Sequence, residues 1–222
     1  MNSIDEFNEE EVIAQLKKMF DDELFTHSMK VRDLALRLAE GSDIKRKRVA
    51  AAALLHDIAK GISPDDLIRY AASYGIPLSP GQTLNPKTLH QNVGAEMVRH
   101  QFGINDGPVL SAISKHATAD TYMTDLDIII YLADSLEEDR DYEGVEQLRE
   151  LAFHDLQEAY FQTLRRTIIY VLQRELYIDE RSVKAYNAAC IKRAEKRKSG
   201  KTGTTSEQQT TLCDERMPDD RE

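Results

Sequence analysis

The sequence predicts an all-α chain, on three observations. Apolar residues recur at helical spacing in almost every patterned segment. No segment shows the period-two alternation of a half-buried strand. Helix start and stop signals flank the periodic stretches. No internal repeat divides the chain.

The elements follow in order. Val12, Leu16 and Met19/Phe20 make one apolar stripe, and Val31, Leu34, Ala35 and Leu38 make the next, ended by Gly41. Residues 50–60 are nearly continuously apolar, which predicts a central, buried helix stopped at Gly61. Ser63-Pro64-Asp65-Asp66 is a helix start: a serine cap, a proline in the first turn and acids facing the positive helix end. Gly75, Pro77, Pro80, Gly81 and Pro86 mark residues 75–87 as a loop, either an active-site flap or a simple connector. Helical patterning resumes near Thr88, Asp106-Gly107-Pro108 precedes a further helix, and Thr124 caps another with Asp127 in capping-box position. Residues 148–176 read as one or two long helices and 182–194 as a short last one. From Lys192 the chain turns basic and then polar, so 1–194 is taken as one domain and 195–222 as a disordered tail unable to offset its ordering entropy.

With 222 residues, 41% of them hydrophobic, the chain can bury a proper core. Its net charge of −10 argues against nucleic acid as a partner. The acidic N-terminus has no signal-peptide core. The apolar run at residues 128–133 is far too short to span a bilayer. A cytoplasmic protein without membrane attachment is therefore expected. Cys190 and Cys213 form no CxxC pair and suggest neither a zinc ribbon nor a disulfide framework.

The chemistry is expected at His56-Asp57, at the end of the buried helix 50–58. Such a pair is costly to desolvate alone, and a metal would explain both residues, taking a neutral imidazole nitrogen and a carboxylate. The dipeptide by itself is weak evidence. A second one, His154-Asp155, lies in an ordinary amphipathic segment and is read as surface or core edge. The company of the first distinguishes it. His27 lies on the helix of Val31 and Leu34, His90 opens the helix after the proline-rich loop, and His116 ends the helix begun near Pro108. Asp134 follows the apolar run 128–133. Ionisable residues at the ends of several helices can converge in a bundle core.

The order His27, His56-Asp57, His90, His116, Asp134 resembles the HD-domain phosphohydrolase superfamily. The finer pattern is similar to its YqeK-like branch, the symmetrical diadenosine tetraphosphate hydrolases. The resemblance is carried by His27-Ser28-Met29-Lys30-Val31, by Leu54-Leu55-His56-Asp57-Ile58-Ala59-Lys60, and by Leu89-His90-Gln91-Asn92-Val93-Gly94-Ala95. Its most specific block runs from Met123-Thr124 through Asp127 and Tyr131-Leu132-Ala133-Asp134 to Glu137, Arg140, Gly144-Val145-Glu146 and Leu148-Arg149. Ala117 where threonine is usual, Glu138 where proline is usual and Lys30 where arginine is common depart from it. These leave the metal positions intact and put substrate contacts in question.

The resemblance implies an HD-type helical bundle with a metal centre between helices, holding two divalent ions. Iron is usual in that branch, and the donors also admit Mn, Zn, Ni or Co. It implies that His27, His56, Asp57 and Asp134 hold one ion and that Asp57 bridges to a second, held also by His90 and His116. A metal-bound hydroxide would then cleave diadenosine tetraphosphate to two ADP. Asp57, Lys60 and Arg140 are the expected catalytic residues. Lys60 and Arg140 would also bind the polyphosphate, with Arg149, Asn92 and Thr118 as further substrate contacts. Two alternatives stay open: another HD phosphohydrolase acting on a nucleotide, alarmone or cyclic dinucleotide, and a metal-free signalling module on the same scaffold. No phosphate loop, Nudix box or serine elbow offers different machinery.

Overall fold

The structure, a computed structural model, describes residues 4–200. These residues are helical throughout, with no strand among them: α1 Glu9–Met19, α2 Asp22–Leu38, α3 Arg46–Leu55, α4 Pro64–Ser73, α5 Pro80–Leu84, α6 His90–Gln101, α7 Gly107–Lys115, α8 Asp125–Leu136, α9 Val145–His154, α10 Leu156–Gln173 and α11 Glu180–Gly200. The start signals act as the sequence suggests. Ser63 accepts from the Asp66 amide, Asp106 accepts from that of Val109, and Thr124 forms a complete capping box with Asp127. No described helix is long and apolar enough to cross a membrane.

Helix α3 is the hub of the N-terminal part. Every residue from Val49 to Leu55 is fully buried, and the small side chains of Ala50, Ala51, Ala52 and Ala53 let α2, α7 and α8 pack close on it. Helix α8 is buried from Leu126 to Ala133 because it serves two cores. Ile129, Ile130 and Ala133 face the cluster built by α1 to α7. Ile128, Tyr131, Leu132 and Leu136 face the one built by α9, α10 and α11. Leu132 has no exposed surface. Leu132→Ala is expected to destabilise the protein by about 2–5 kcal/mol. A lower denaturant midpoint with an unchanged m value is the readout.

Several boundaries differ from the sequence reading. Helix α3 stops at Leu55, and residues 56–62 continue as tight turns closed by Lys60 N–H to Asp57 O at 2.9 Å and Ile62 N–H to Ala59 O at 3.2 Å. The segment 75–87 is not a bare loop. It contains α5 and the start of a 3-10 turn, Pro86–Leu89. Gln82 is buried within it, and Gly81 lies where an added Cβ would collide with the Tyr177 ring. The segment 148–176 is two helices, as one of the two readings had it, divided at Asp155, which caps α10 by accepting from the Glu158 amide at 3.0 Å. Helix α11 begins earlier and runs past the boundary drawn at Ala194. Residues 194–198 are good helix formers, and Arg193 and Lys196 pair with Glu158 and Asp155 at 2.7 and 2.9 Å. Residues 201–222, with Cys213 and most of the tail, lie outside the described residues.

Candidate metal centre

Three of the histidines reach the site by one local device. His56 follows the last residue of α3, His116 follows the last of α7, and His90 follows the 3-10 turn. Carbonyls at such ends lack helical partners. In each case Nδ1 donates to the carbonyl three residues back: Ala53 O at 2.7 Å, Ile113 O at 2.8 Å and Lys87 O at 2.7 Å. A carbonyl only accepts, so each ring in its neutral form carries its proton on Nδ1 and turns the Nε2 lone pair away from the helix end. The fourth, His27, projects from α2 one turn before Val31. Its Nδ1 faces Glu137 Oε1 at 3.2 Å. Asp57 comes from the turn after α3, and Asp134 from the last turn of α8, one turn beyond Ile130.

All six side chains meet. Nε2 of His27 lies 3.1 Å from Asp134 Oδ1 and 3.3 Å from His56 Nε2. His56 Nε2 lies 3.2 Å from Asp57 Oδ2. On the other oxygen of Asp57, His116 and His90 place their Nε2 atoms at 3.3 and 3.5 Å, and these stand 3.0 Å apart. His27, His56, Asp57 and Asp134 thus form one group of converging donors, and Asp57, His90 and His116 a second, with Asp57 common to both. Donors at about 2.1 Å from one ion stand roughly 3.0–3.4 Å apart in octahedral or tetrahedral sets, and the spacings here run from 3.0 to 3.8 Å. Asp57 Oδ1 is buried without a hydrogen-bond partner. Imidazole and carboxylate donors, a common bridging carboxylate and an orphaned buried oxygen together fit divalent cations.

The electrostatics are those of a site built for positive charge. Burial opposes ionisation of Asp57, but His56, His116 and His27 outweigh it and hold the carboxyl well below its usual range. Burial opposes ionisation of Asp134 too, and His27 and His56 again win. Burial also disfavours charge on His56, yet Asp57 and Asp134 carry it up to about 10. For His90, burial and the neighbouring His116 act together and push the imidazole down to about 4. The centre has a closed floor and an open mouth. His56, Asp57 and His116 are buried, whereas His27, His90 and Asp134 keep some exposure, and Lys60 and Arg140 stand at the rim with side chains 47% and 38% exposed.

The remaining expected site residues divide. Lys60 Nζ donates to Asp57 Oδ2 at 2.6 Å. Arg140 donates to Asp134 twice, Nη2 to Oδ1 and Nε to the backbone carbonyl, both at 2.9 Å. Asn92 is half-buried, and its Oδ1 accepts from Gln82 and Arg181. Thr118 is buried and bonded to Gln91 at 3.0 Å, so it shapes the turn after His116 and does not present its hydroxyl at the mouth. Arg149 is likewise not free for substrate, because its Nε and Nη2 are bound to backbone carbonyls. His154, the control, is exposed at the end of α9 and apart from the cluster.

Sequence reasoning passed over Glu137 as a site residue. It is buried and bonds the outer nitrogen of His27, and its Oε2 accepts the Asp139 amide at 2.7 Å. A buried acid three residues past a candidate ligand was the available signal. Such outer carboxylates fix ring orientation and donor strength. Glu137→Gln is expected to weaken metal binding about 10–100-fold, measured by chelator competition. Unchanged affinity would remove Glu137 from the centre.

This arrangement of six ligand-type side chains on a helical bundle defines a class, and comparison with known proteins agrees. The HD domain family matches residues 24–139, and the chain belongs to it. Its particular relatives include the symmetrical bis(5'-nucleosyl)-tetraphosphatase of Bacillus subtilis, 30% identical over 180 residues, 81% of this chain and 96% of that protein. The Staphylococcus aureus protein of the same name is 28% identical over 176 residues, 77% of this chain and 89% of that protein. Among solved structures, one from Clostridium acetobutylicum is described as a predicted HD superfamily hydrolase involved in NAD metabolism. It superposes with a TM-score of 0.80 at 28% identity, covering 84% of this chain and 98% of that one.

Proposed function

We propose that the chain is a metal-dependent hydrolase of dinucleoside polyphosphates that converts diadenosine tetraphosphate to two ADP. The observation that carries this reading is the convergence of two donor groups on Asp57, in a chain whose relatives are named symmetrical tetraphosphatases. His27, His56, Asp57 and Asp134 would hold one divalent ion, and Asp57, His90 and His116 a second. Iron is the proposed metal, with Mn, Zn, Ni and Co also compatible with the donors. When bound, such ions supply Lewis acidity and lower the pKa of water toward neutrality.

The protein's own groups set the charge and the site of cleavage. Two carboxylates against two divalent ions leave about +2 at the mouth, which attracts a polyphosphate to an otherwise acidic chain. Lys60 and Arg140 flank that mouth, and each is now paired with a ligand carboxylate. A phosphate entering between them offers both cations a second acceptor, and the Arg140 guanidinium has donors to spare for it. Gripping the phosphates on either side of the reacting one would leave one of the two central phosphorus atoms at the centre. Water attack on it breaks the central P–O–P bridge and releases ADP on each side. A nucleoside diphosphate with its charge offset is a weak base, so the site needs no dedicated general acid. A cytoplasmic location fits such a substrate and a chain with only two cysteines.

Chromatography of the products from diadenosine tetraphosphate with metal-reconstituted protein tests the reading. ADP alone is expected. AMP and ATP in equal amounts would place attack at an outer phosphorus and overturn it. Turnover of a mononucleotide or alarmone with no reaction on any dinucleotide would move the substrate to another class.

A further inference from the structure

The turn that follows α8 carries two groups that touch the ligand set. Glu137 bonds His27 Nδ1 at 3.2 Å, and Arg140 bonds both the carboxylate and the carbonyl of Asp134 at 2.9 Å. Nothing in the backbone of residues 136–140 makes this turn rigid by itself. Leu136 ends the helix, so its carbonyl has no helical partner, and Glu137 swings the chain away with φ −55° and ψ 163°. Two internal bonds close it, Arg140 N–H to Glu137 O at 2.9 Å and Asp139 N–H to Glu137 Oε2 at 2.7 Å. The side-chain pairs of Lys30 with Glu138 and Asp139 involve carboxylates 74% and 62% exposed and add little.

Arg149, reaching in from α9, is the exception. Its Nε donates to Leu136 O, and its Nη2 to both Glu137 O and Arg140 O, each at 2.7 Å. Three carbonyls at three positions of the turn are thus tied to one planar group that is 18% exposed. Nη1 is held in turn by Glu146. A guanidinium fixes several acceptors in one plane at once, which an ammonium cannot do. Its positive charge also suits the negative end of α8.

We propose that Arg149 is a positioning residue of the metal centre, acting through the 136–140 turn to hold Glu137 against His27 and Arg140 against Asp134. It does not contact substrate. The activity part of the proposal rests on the hydrolase reading; the metal-affinity part stands without it.

Arg149→Lys keeps the charge and loses the three-carbonyl fork, and Arg149→Gln gives a second, uncharged variant should the first fail to fold. With wild-type-like circular dichroism, either is expected to weaken Mn(II) binding about tenfold or more, in the range for lost outer-shell support. The kcat on diadenosine tetraphosphate should fall by about the same factor and KM should stay within about threefold. Glu146→Gln, which leaves the carbonyl bonds intact, should change neither. Arg149→Lys combined with Glu137→Gln should weaken Mn(II) binding by less than the product of the single effects, because both act on one unit. A raised KM with unaltered Mn(II) affinity would make Arg149 a substrate contact and overturn the proposal, as would multiplicative effects in the double variant. If wild-type protein cleaves no dinucleotide, the hydrolase reading fails while the Mn(II) arms still decide the role of Arg149.

Discussion

Asp57→Ala will empty both halves of the centre and reduce hydrolysis to background, while His154→Ala, the same dipeptide in another place, will change neither. The asymmetry follows from geometry. The two oxygens of Asp57 are divided between His56 and Lys60 on one side and His90 and His116 on the other. Alanine removes the carboxylate common to both donor groups and leaves four inward-facing imidazoles and Lys60 with Asp134 and Glu137 as counter-charge. Losing one partner of a buried charge network costs about 3–5 kcal/mol, so a lower melting temperature should accompany the loss of metal. His154 is exposed, and its neighbour Asp155 is occupied in capping α10 and pairing Lys196. Full metal content and turnover in Asp57→Ala, measured by elemental analysis and product release, would contradict the site assignment.

Arg140→Ala carries the second large effect. The guanidinium is at once a clamp on Asp134 and, with Lys60, a partly exposed cation beside the ligand carboxylates. Its loss should slow turnover on the order of 10²-fold, the scale seen when one charge-stabilising donor is deleted from an active site. The effect should fall mainly on kcat, since the charge it offsets is largest when the bridge breaks. Arg140→Lys should recover part of it, as a point charge replaces the fork. A change confined to KM would make Arg140 a ground-state binder only.

Most of the site was legible in the sequence because ligand chemistry leaves a costly signature. His56-Asp57 at the end of 50–58 and Asp134 after 128–133 place ionisable groups where apolar burial is deepest, and only a partner can justify that. The caps at Ser63, Asp106 and Thr124 were readable for the same reason, since each satisfies a local backbone need. What stayed hidden depends on tertiary contact. Arg149 reads as a cation near a phosphate site, but its donors go to three carbonyls brought to it by the α8–α9 turn. Thr118 reads as an available hydroxyl, but Gln91, 27 positions earlier, takes it. Asn92 is similarly taken up by Gln82 and Arg181, the latter from α11. Glu137 was overlooked because its partner, His27, lies 110 residues away. The segment 75–87 misled because proline and glycine mark turns without saying whether the pieces between them form short helices.

The central claim is that His27, His56, Asp57, His90, His116 and Asp134 form one centre for two divalent ions. An anomalous difference map from crystals of the protein grown with Mn(II), recorded near the metal edge, tests it most directly. Two peaks are expected, one bonded by His27, His56 and Asp134, the other by His90 and His116, with Asp57 reaching both. A map without density at these Nε2 and carboxylate atoms, or with the metal bound elsewhere, would contradict it.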